Sequence, residues 1–135
     1  ASISFSRDPL MNHGFPVPLT HFMGIPICTV QIGDSFLSAF FDTGAPISYF
    51  ERGVLERFPC EGNVTDFYPG IGRFEVEAYR TEIGVGRELF HLRCAPLPNF
   101  LGIMTFLTAA RGILGNGVMR DRVIGYFPRR GVFTL

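Results

Sequence analysis

At residues 40–45 the chain reads Phe-Phe-Asp-Thr-Gly-Ala, an apolar run that ends in a carboxylate and a turn. A strand over the apolar part would hold Asp42 rigidly, and the turn would present its carboxylate on a loop. Gly44 permits a tight backbone turn that a residue with a Cβ would resist. The hydroxyl of Thr43 can brace this loop by hydrogen bonding, and Ala45 is small enough to let another backbone segment approach. We therefore expect this loop to carry the chemistry of the molecule.

The residues before this loop predict a β-hairpin. Residues 27–32 alternate between apolar and polar side chains, which is typical of a half-buried strand. Residues 33–35 read Gly-Asp-Ser, a turn signal, and residues 36–41 read as the returning strand. Asp42 would then follow directly on the second strand of the hairpin.

Much of the remaining chain shows the same pattern of short strands broken by turns. Its 15 Phe, 16 Gly and 10 Pro favour strands, so the predicted fold class is all-β. A second hairpin is expected over residues 66–78, with Pro69-Gly70-Ile71-Gly72 at its tip, and a last hairpin over residues 123–135. Residues 95–110 fit either a buried strand or a short helix. Other strands are expected at residues 79–83, 88–94 and 113–115, and short helices or turns within residues 49–58 and 118–122.

The balance of charges excludes several classes of function. The chain has 12 basic and 12 acidic residues, so it lacks the electrostatic footprint of a protein that binds nucleic acid or an anionic membrane. Every basic residue is Arg, which excludes Schiff-base and lysine-nucleophile mechanisms. The longest apolar run, residues 100–110, is too short to insert across a membrane. Without a signal peptide or a disulfide pattern, the compartment stays open with a slight preference for the cytoplasm.

The cysteines and histidines suggest neither a disulfide framework nor a metal site. Cys28, Cys60 and Cys94 are isolated, and no C-x-x-C or H-x-x-x-H spacing occurs. Buried thiols are expected, and Cys28 in an apolar strand is the best example. We predict no metal and no cofactor.

The loop at residues 40–45 resembles the active-site motif of retropepsins and of pepsin lobes, which are aspartic proteases. Two further segments follow in the family's order: Gly70-Ile71-Gly72 is similar to the tip of a retropepsin flap, and Ile113-Leu114-Gly115 is similar to the segment behind the catalytic loop. The resemblance covers residues 27–135 as one domain. Residues 1–26 contain four prolines and are expected to form an N-terminal arm, irregular before residue 20.

The resemblance implies both a fold and an activity. The fold would be a small closed β-barrel-like retropepsin fold with one or two short helices and a flap hairpin over the active site. The activity would be that of an aspartic endopeptidase acting on a polypeptide substrate. The implicated residues are Asp42 as the catalytic group, Thr43, Gly44 and Ala45 as its loop support, Tyr68, Gly70, Ile71 and Gly72 in the flap, and Ile113, Leu114 and Gly115 behind the active site.

Aspartic proteolysis needs two carboxylates, and one chain contains a single Asp within an Asp-Thr-Gly motif. Of the five Asp residues, Asp42 alone is followed by Thr-Gly. The second carboxylate is expected from another copy of the chain, across the twofold axis of a homodimer. Residues 132–135 are apolar β-formers with an open strand edge, so we expect them to join the subunits. The arm of residues 1–26 could add a strand on the same surface, although its prolines limit how much it can pair.

Other functions remain open. A catalytically silent module for peptide binding or dimerisation could share this fold, although an intact Asp-Thr-Gly argues against silence. A small-molecule or metal binder would need a ligand cluster that the sequence lacks. Pro46 and Asn116 stand where retropepsins often carry an Asp and an Arg, so the structural ion pair of the family is absent. Phe67 and Tyr68 fit either a role in covering substrate or an ordinary surface or core position.

Overall fold

The computed structural model describes residues 3–5, 14–99 and 108–135, and these residues are arranged mostly in strands. The prediction of an all-β fold is confirmed. Strands are numbered in chain order. They are β1 Pro16–Pro18, β2 Thr20–Phe22, β3 Ile25–Ile32, β4 Ser35–Phe41, β5 Ser48–Phe50, β6 Cys60–Tyr68, β7 Gly72–Val85, β8 Glu88–Pro96, β9 Gly112–Leu114, β10 Gly125–Phe127 and β11 Val132–Thr134.

Six of these strands close into a barrel. Their order is β3-β4-β9-β5-β8-β7, and β7 pairs back onto β3, with Gln31 opposite Gly84 and Ile32 opposite Ile83. Strand β2 adjoins β3 outside this ring, and β6 lies outermost beside β7. The predicted closed, barrel-like architecture is therefore confirmed.

The barrel encloses a core that follows from the alternation of side chains along its strands. In β3, Cys28, Val30 and Ile32 are buried, whereas Thr29 and Gln31 between them are exposed. A period of two places successive side chains on opposite faces of a sheet, and removal of the inward set from water drives folding. Fully buried side chains of other elements complete this core: Leu37, Phe50, Leu55, Ile83, Leu114 and Phe133.

A second sheet of three strands brings β11 between β1 and β10, antiparallel to both. The expectation that residues 132–135 leave an open strand edge is therefore wrong, because both edges of β11 are paired within the chain. Phe133 at the centre of β11 stacks on Phe41, with ring centroids 5.3 Å apart. This contact joins the second sheet to the strand that precedes Asp42.

The expectation of irregular structure before residue 20 is wrong for Pro16–Pro18. Proline lacks a backbone N–H and is tolerated in an edge strand, and β1 is the outer strand of its sheet. Val17 between the two prolines is buried, so its side chain adds to the core. Thr20–Phe22 also forms a strand, paired with β3. The boundary between an arm of residues 1–26 and a domain from residue 27 stays a prediction.

Helical structure in the described residues is short. Helix α1 spans Arg52–Leu55, and two 3-10 turns span Asn116–Met119 and Pro128–Arg130. None of the helices in these parts of the chain is long and apolar enough to span a membrane. The choice between strand and helix for residues 95–110 falls mostly on residues 100–107, which lie outside the described residues.

Strand β9 lies between β4 and β5 and passes behind the loop that joins them. It runs parallel to β4, with Leu114 opposite Phe41, and antiparallel to β5. Directly after β9, a Cβ on Gly115 would lie 2.5 Å from the carbonyl oxygen of Ala45 and 2.8 Å from that of Ile47. No side chain fits at such distances from backbone atoms, so the crossing requires glycine.

Replacement of Gly115 by Ala should lower the free energy of unfolding by about 1–3 kcal/mol, the usual cost of overpacking a tight site. Gly53 in α1 is the matched control, because a Cβ there meets nothing within 4 Å and Ala is the better helix former. Urea denaturation followed by circular dichroism measures both variants. If Gly115→Ala were as stable as Gly53→Ala, the space between Gly115 and the carbonyl oxygen of Ala45 would have to admit a methyl group.

Candidate active site

The side chain of Asp42 is exposed at the end of β4. Its backbone N–H donates to the carbonyl oxygen of Leu114 at 2.9 Å, which continues the pairing of β4 with β9. Its carbonyl oxygen accepts the N–H of Ala45 at 3.2 Å and closes a turn. The backbone of Asp42 is thus held on both sides while the carboxylate faces solvent.

The loop also orients the carboxylate directly. The N–H of Gly44 donates to Oδ1 of Asp42 at 2.9 Å. A Cβ on Gly44 would approach that oxygen to 3.2 Å, closer than an ordinary van der Waals contact. Within the described residues, Oδ2 accepts no hydrogen bond and the carboxylate forms no ion pair. Oδ2 is therefore the oxygen available to water or a substrate.

Polar groups brace the loop from behind. The side-chain amide of Asn116 donates to the carbonyl oxygen of Thr43 at 3.1 Å, and its backbone N–H donates to that of Ala45 at 2.8 Å. The hydroxyl of Ser48 accepts the N–H of Gly115 at 3.0 Å. Thr43 thus contributes its carbonyl to these braces. Sequence reasoning missed Ser48, whose signal is a polar side chain inside a buried, otherwise aromatic strand.

An aromatic and aliphatic wall lies beside Asp42 on the barrel. Ile113 is opposite Phe40 on one side and opposite Tyr49 on the other, so the three side chains share one face. Alternation along β4 puts Asp42 on the same side as Phe40. Ile113 is half-buried, whereas Leu114 points the other way and is fully buried. The structure therefore places Ile113 on the same face as Asp42 and Leu114 in the core.

The hairpin formed by β6 and β7 is longer than the predicted range of residues 66–78. It spans Cys60–Tyr68 and Gly72–Val85. Strand β8 pairs with β7 from Tyr79 onwards, so residues 72–78 pair with β6 alone. This part of the hairpin, which we call the flap hairpin, projects beyond the barrel.

The tip of the flap hairpin is a tight turn around Pro69 and Gly70. The N–H of Ile71 donates to the carbonyl oxygen of Tyr68 at 3.1 Å. Gly70 and Gly72 have φ angles of 90° and 91°, a conformation that glycine adopts without the strain of a side chain. The side chain of Ile71 is exposed at the tip.

The two faces of the flap hairpin differ in what they contact. Asp66 and Phe74 lie opposite each other and share a face with Tyr68. The hydroxyl of Tyr49 donates to the carboxylate of Asp66, so this face turns toward the barrel. Phe67 points to the other side and is 62% exposed. Of the two aromatic residues near the tip, Tyr68 is thus the one on the barrel side.

Two of the three thiols are buried, whereas that of Cys60 is exposed. Burial raises the pKa of the Cys28 and Cys94 thiols to about 12, which leaves them unreactive near neutral pH. Residues 3–5, 14–99 and 108–135 contain no group of three or more His, Cys, Asp or Glu side chains that could hold a metal ion. Asp42 remains the exposed, oriented group beside the wall of Ile113.

Comparison with known proteins shows similarity in structure. No family model matches the chain, and no curated protein matches it significantly in sequence. Among solved structures, the EIAV protease complexed with the inhibitor HBY-793 is similar, with a TM-score of 0.54 and 20% sequence identity. The match covers 76% of this chain and 91% of the viral chain. At this identity the likeness concerns the fold: the chain has the retropepsin fold, built around a barrel with Asp42 at the end of β4.

Proposed function

We propose that the chain is one subunit of an aspartic endopeptidase and that Asp42 is its catalytic residue. The observation that carries this proposal is the exposed carboxylate of Asp42, oriented by the N–H of Gly44 on a loop that β9 fixes from behind. The retropepsin fold, shared with an inhibitor-bound viral protease, supports the same reaction class. The proposed substrate is a polypeptide, and the reaction is hydrolysis of a peptide bond.

The chemistry requires two Asp42 carboxylates that face each other and share one proton. Like charges at short distance cannot both ionise cheaply, so one carboxyl stays protonated. The ionised carboxylate takes a proton from water, whose oxygen attacks the peptide carbonyl carbon while the protonated carboxyl polarises the carbonyl oxygen. The C–N bond then breaks and the leaving nitrogen receives a proton. The pair titrates as a unit, and activity should be highest at acidic to mildly acidic pH.

The second carboxylate comes from another copy of the chain in this proposal. Asp34 lies in the turn between β3 and β4, Asp66 lies on the flap hairpin, and Asp121 follows a 3-10 turn. None of these resembles the setting of Asp42, and Asp8 lies outside the described residues. Since β11 is paired on both sides, the subunits would have to meet elsewhere, for example through the outer edges of β1 and β10.

The flap hairpin is proposed to act as a lid over the bound polypeptide. It projects from the barrel with Tyr68 on the barrel side and the apolar side chain of Ile71 exposed at its tip. A lid of this kind excludes water and aligns the substrate with the catalytic groups. The space between Tyr68 and the wall at Ile113 would then hold the substrate.

Asp42→Asn and Asp42→Ala should each reduce peptide-bond hydrolysis by at least about 10²-fold, as loss of an acid–base group does. Asp42→Asn retains an oxygen that can accept the N–H of Gly44, so the loop should survive. Asp34→Asn is the control, because Asp34 is exposed in a turn of the barrel and should not affect activity. Cleavage of an unfolded protein at acidic pH measures activity, and circular dichroism checks folding. Full activity in a folded Asp42→Ala protein would refute the assignment and favour a module without catalysis at Asp42.

Gly70→Val should lower turnover more than Gly62→Val does. Both glycines have positive φ angles, 90° and 88°, and a Cβ on either meets nothing within 4 Å. The backbone strain of the two substitutions is therefore similar, but Gly70 is at the tip and Gly62 is near the start of β6. Steady-state kinetics of both variants measure the effect on turnover, and thermal unfolding measures the effect on stability. Equal turnover at equal stability would mean that the tip is only structural.

A further inference from the structure

The flap hairpin depends on side chains for its position relative to the barrel. Residues 72–78 pair with β6 alone, and β6 is the outermost strand of its sheet. Backbone hydrogen bonds join the two strands of the hairpin to each other, but no third strand supports this part of it. Contacts between hairpin side chains and the barrel therefore help to set the angle of the hairpin to the barrel.

One contact of this kind lies at the base of the hairpin, and another lies nearer its tip. At the base of the hairpin, a guanidinium nitrogen of Arg52 lies 2.7 Å from a carboxylate oxygen of Glu77, but both side chains are about half exposed, at 53% and 46%. Solvent and salt weaken exposed ion pairs, so this contact holds the hairpin weakly. Nearer the tip, the hydroxyl of Tyr49 donates to Oδ2 of Asp66. Because this hydrogen bond is partly buried, water and salt weaken it less than they weaken the exposed ion pair.

Both partners of the hydrogen bond between Tyr49 and Asp66 are held in place by their surroundings. Tyr49 is buried to all but 3% of its surface, so its ring cannot easily turn away. The other carboxylate oxygen of Asp66 accepts the backbone N–H of Phe67 at 2.7 Å, which fixes the plane of the carboxylate. Within the described residues no Arg or His forms an ion pair with Asp66, so no cation competes for it. Burial and the neighbouring carboxylate raise the pKa of Tyr49, so its hydroxyl stays a donor at and above neutral pH.

The positions of the two residues connect both sides of the candidate site. Tyr49 is the cross-strand neighbour of Ile113 on the wall beside Asp42. Asp66 precedes by two residues Tyr68, where the turn at the tip begins. This hydrogen bond between Tyr49 and Asp66 therefore joins the wall to the barrel-facing side of the flap hairpin.

We propose that Tyr49 and Asp66 form a latch that holds the flap hairpin over the wall beside Asp42, and that both are positioning residues for substrate binding. This inference rests on the proposed peptidase function for its kinetic part but not for its structural part. With the latch formed, the hairpin is already in the conformation that binds a polypeptide. Without the latch, that conformation is one of several. The apparent dissociation constant for the polypeptide is then the intrinsic constant divided by the fraction of molecules in the binding conformation.

Hydrogen exchange of the substrate-free protein tests the structural part. Tyr49→Phe removes the hydroxyl and little else, and it should raise amide exchange about tenfold or more in residues 63–76, since local opening sets exchange there. Asp66→Ala should have the same effect, whereas Asp66→Asn keeps a carbonyl oxygen for Tyr49 and should restore much of the protection. Arg52→Gln is the matched control, because it removes the exposed contact at the base and should change exchange little. Unchanged exchange in both Tyr49→Phe and Asp66→Ala would overturn the latch.

Steady-state kinetics test the positioning role. Tyr49→Phe should raise KM about tenfold with kcat within about threefold of the wild type, the signature of lost binding without lost chemistry. Asp66→Asn should lie near the wild type. A fall in kcat with unchanged KM, or no kinetic change despite faster exchange, would overturn the positioning role. If the wild type cleaves no peptide, the proposed function fails while the exchange data still decide whether the latch exists.

Discussion

The absence of a side chain at Gly115 allows β9 to cross behind the loop of Asp42 at the distance of backbone contact. A Cβ there would reach 2.5 Å from the carbonyl oxygen of Ala45. Because the two segments are so close, Asn116 can donate hydrogen bonds to the loop from its backbone and from its side chain. The barrel thus fixes the loop, and the strands set the position of the Asp42 carboxylate.

The same crossing organises the surroundings of Asp42. Strand β9 places Ile113 between Phe40 and Tyr49, and so builds the wall beside the carboxylate. Tyr49 in turn reaches the flap hairpin through Asp66. On the other side of β4, Phe41 stacks on Phe133 and ties the second sheet to the same strand. Loop, wall, flap hairpin and second sheet therefore all depend on the arrangement of β4, β9 and β5.

The sequence predicted the elements whose signals are local. The apolar run before Asp42 and the glycine-rich tip at Gly70 each combine a strand pattern with turn residues, and both elements are present where those patterns occur. The strand Pro16–Pro18 was missed because its prolines suggest irregular structure, and only its pairing with β11 makes it a strand. Contacts between Tyr49 and Asp66 or between Ser48 and Gly115 join residues 17 and 67 positions apart. No local pattern encodes such partners, because they are set by how the strands assemble.

We propose that one chain supplies half of a catalytic pair and that a second copy supplies the other half. Specific peptidase activity measured together with sedimentation over a dilution series tests this most directly. We expect specific activity to fall in parallel with the fraction of dimer as the protein is diluted, because a monomer holds a single Asp42. Constant specific activity in a protein that sediments as a monomer at every concentration would show that a single chain is sufficient for activity.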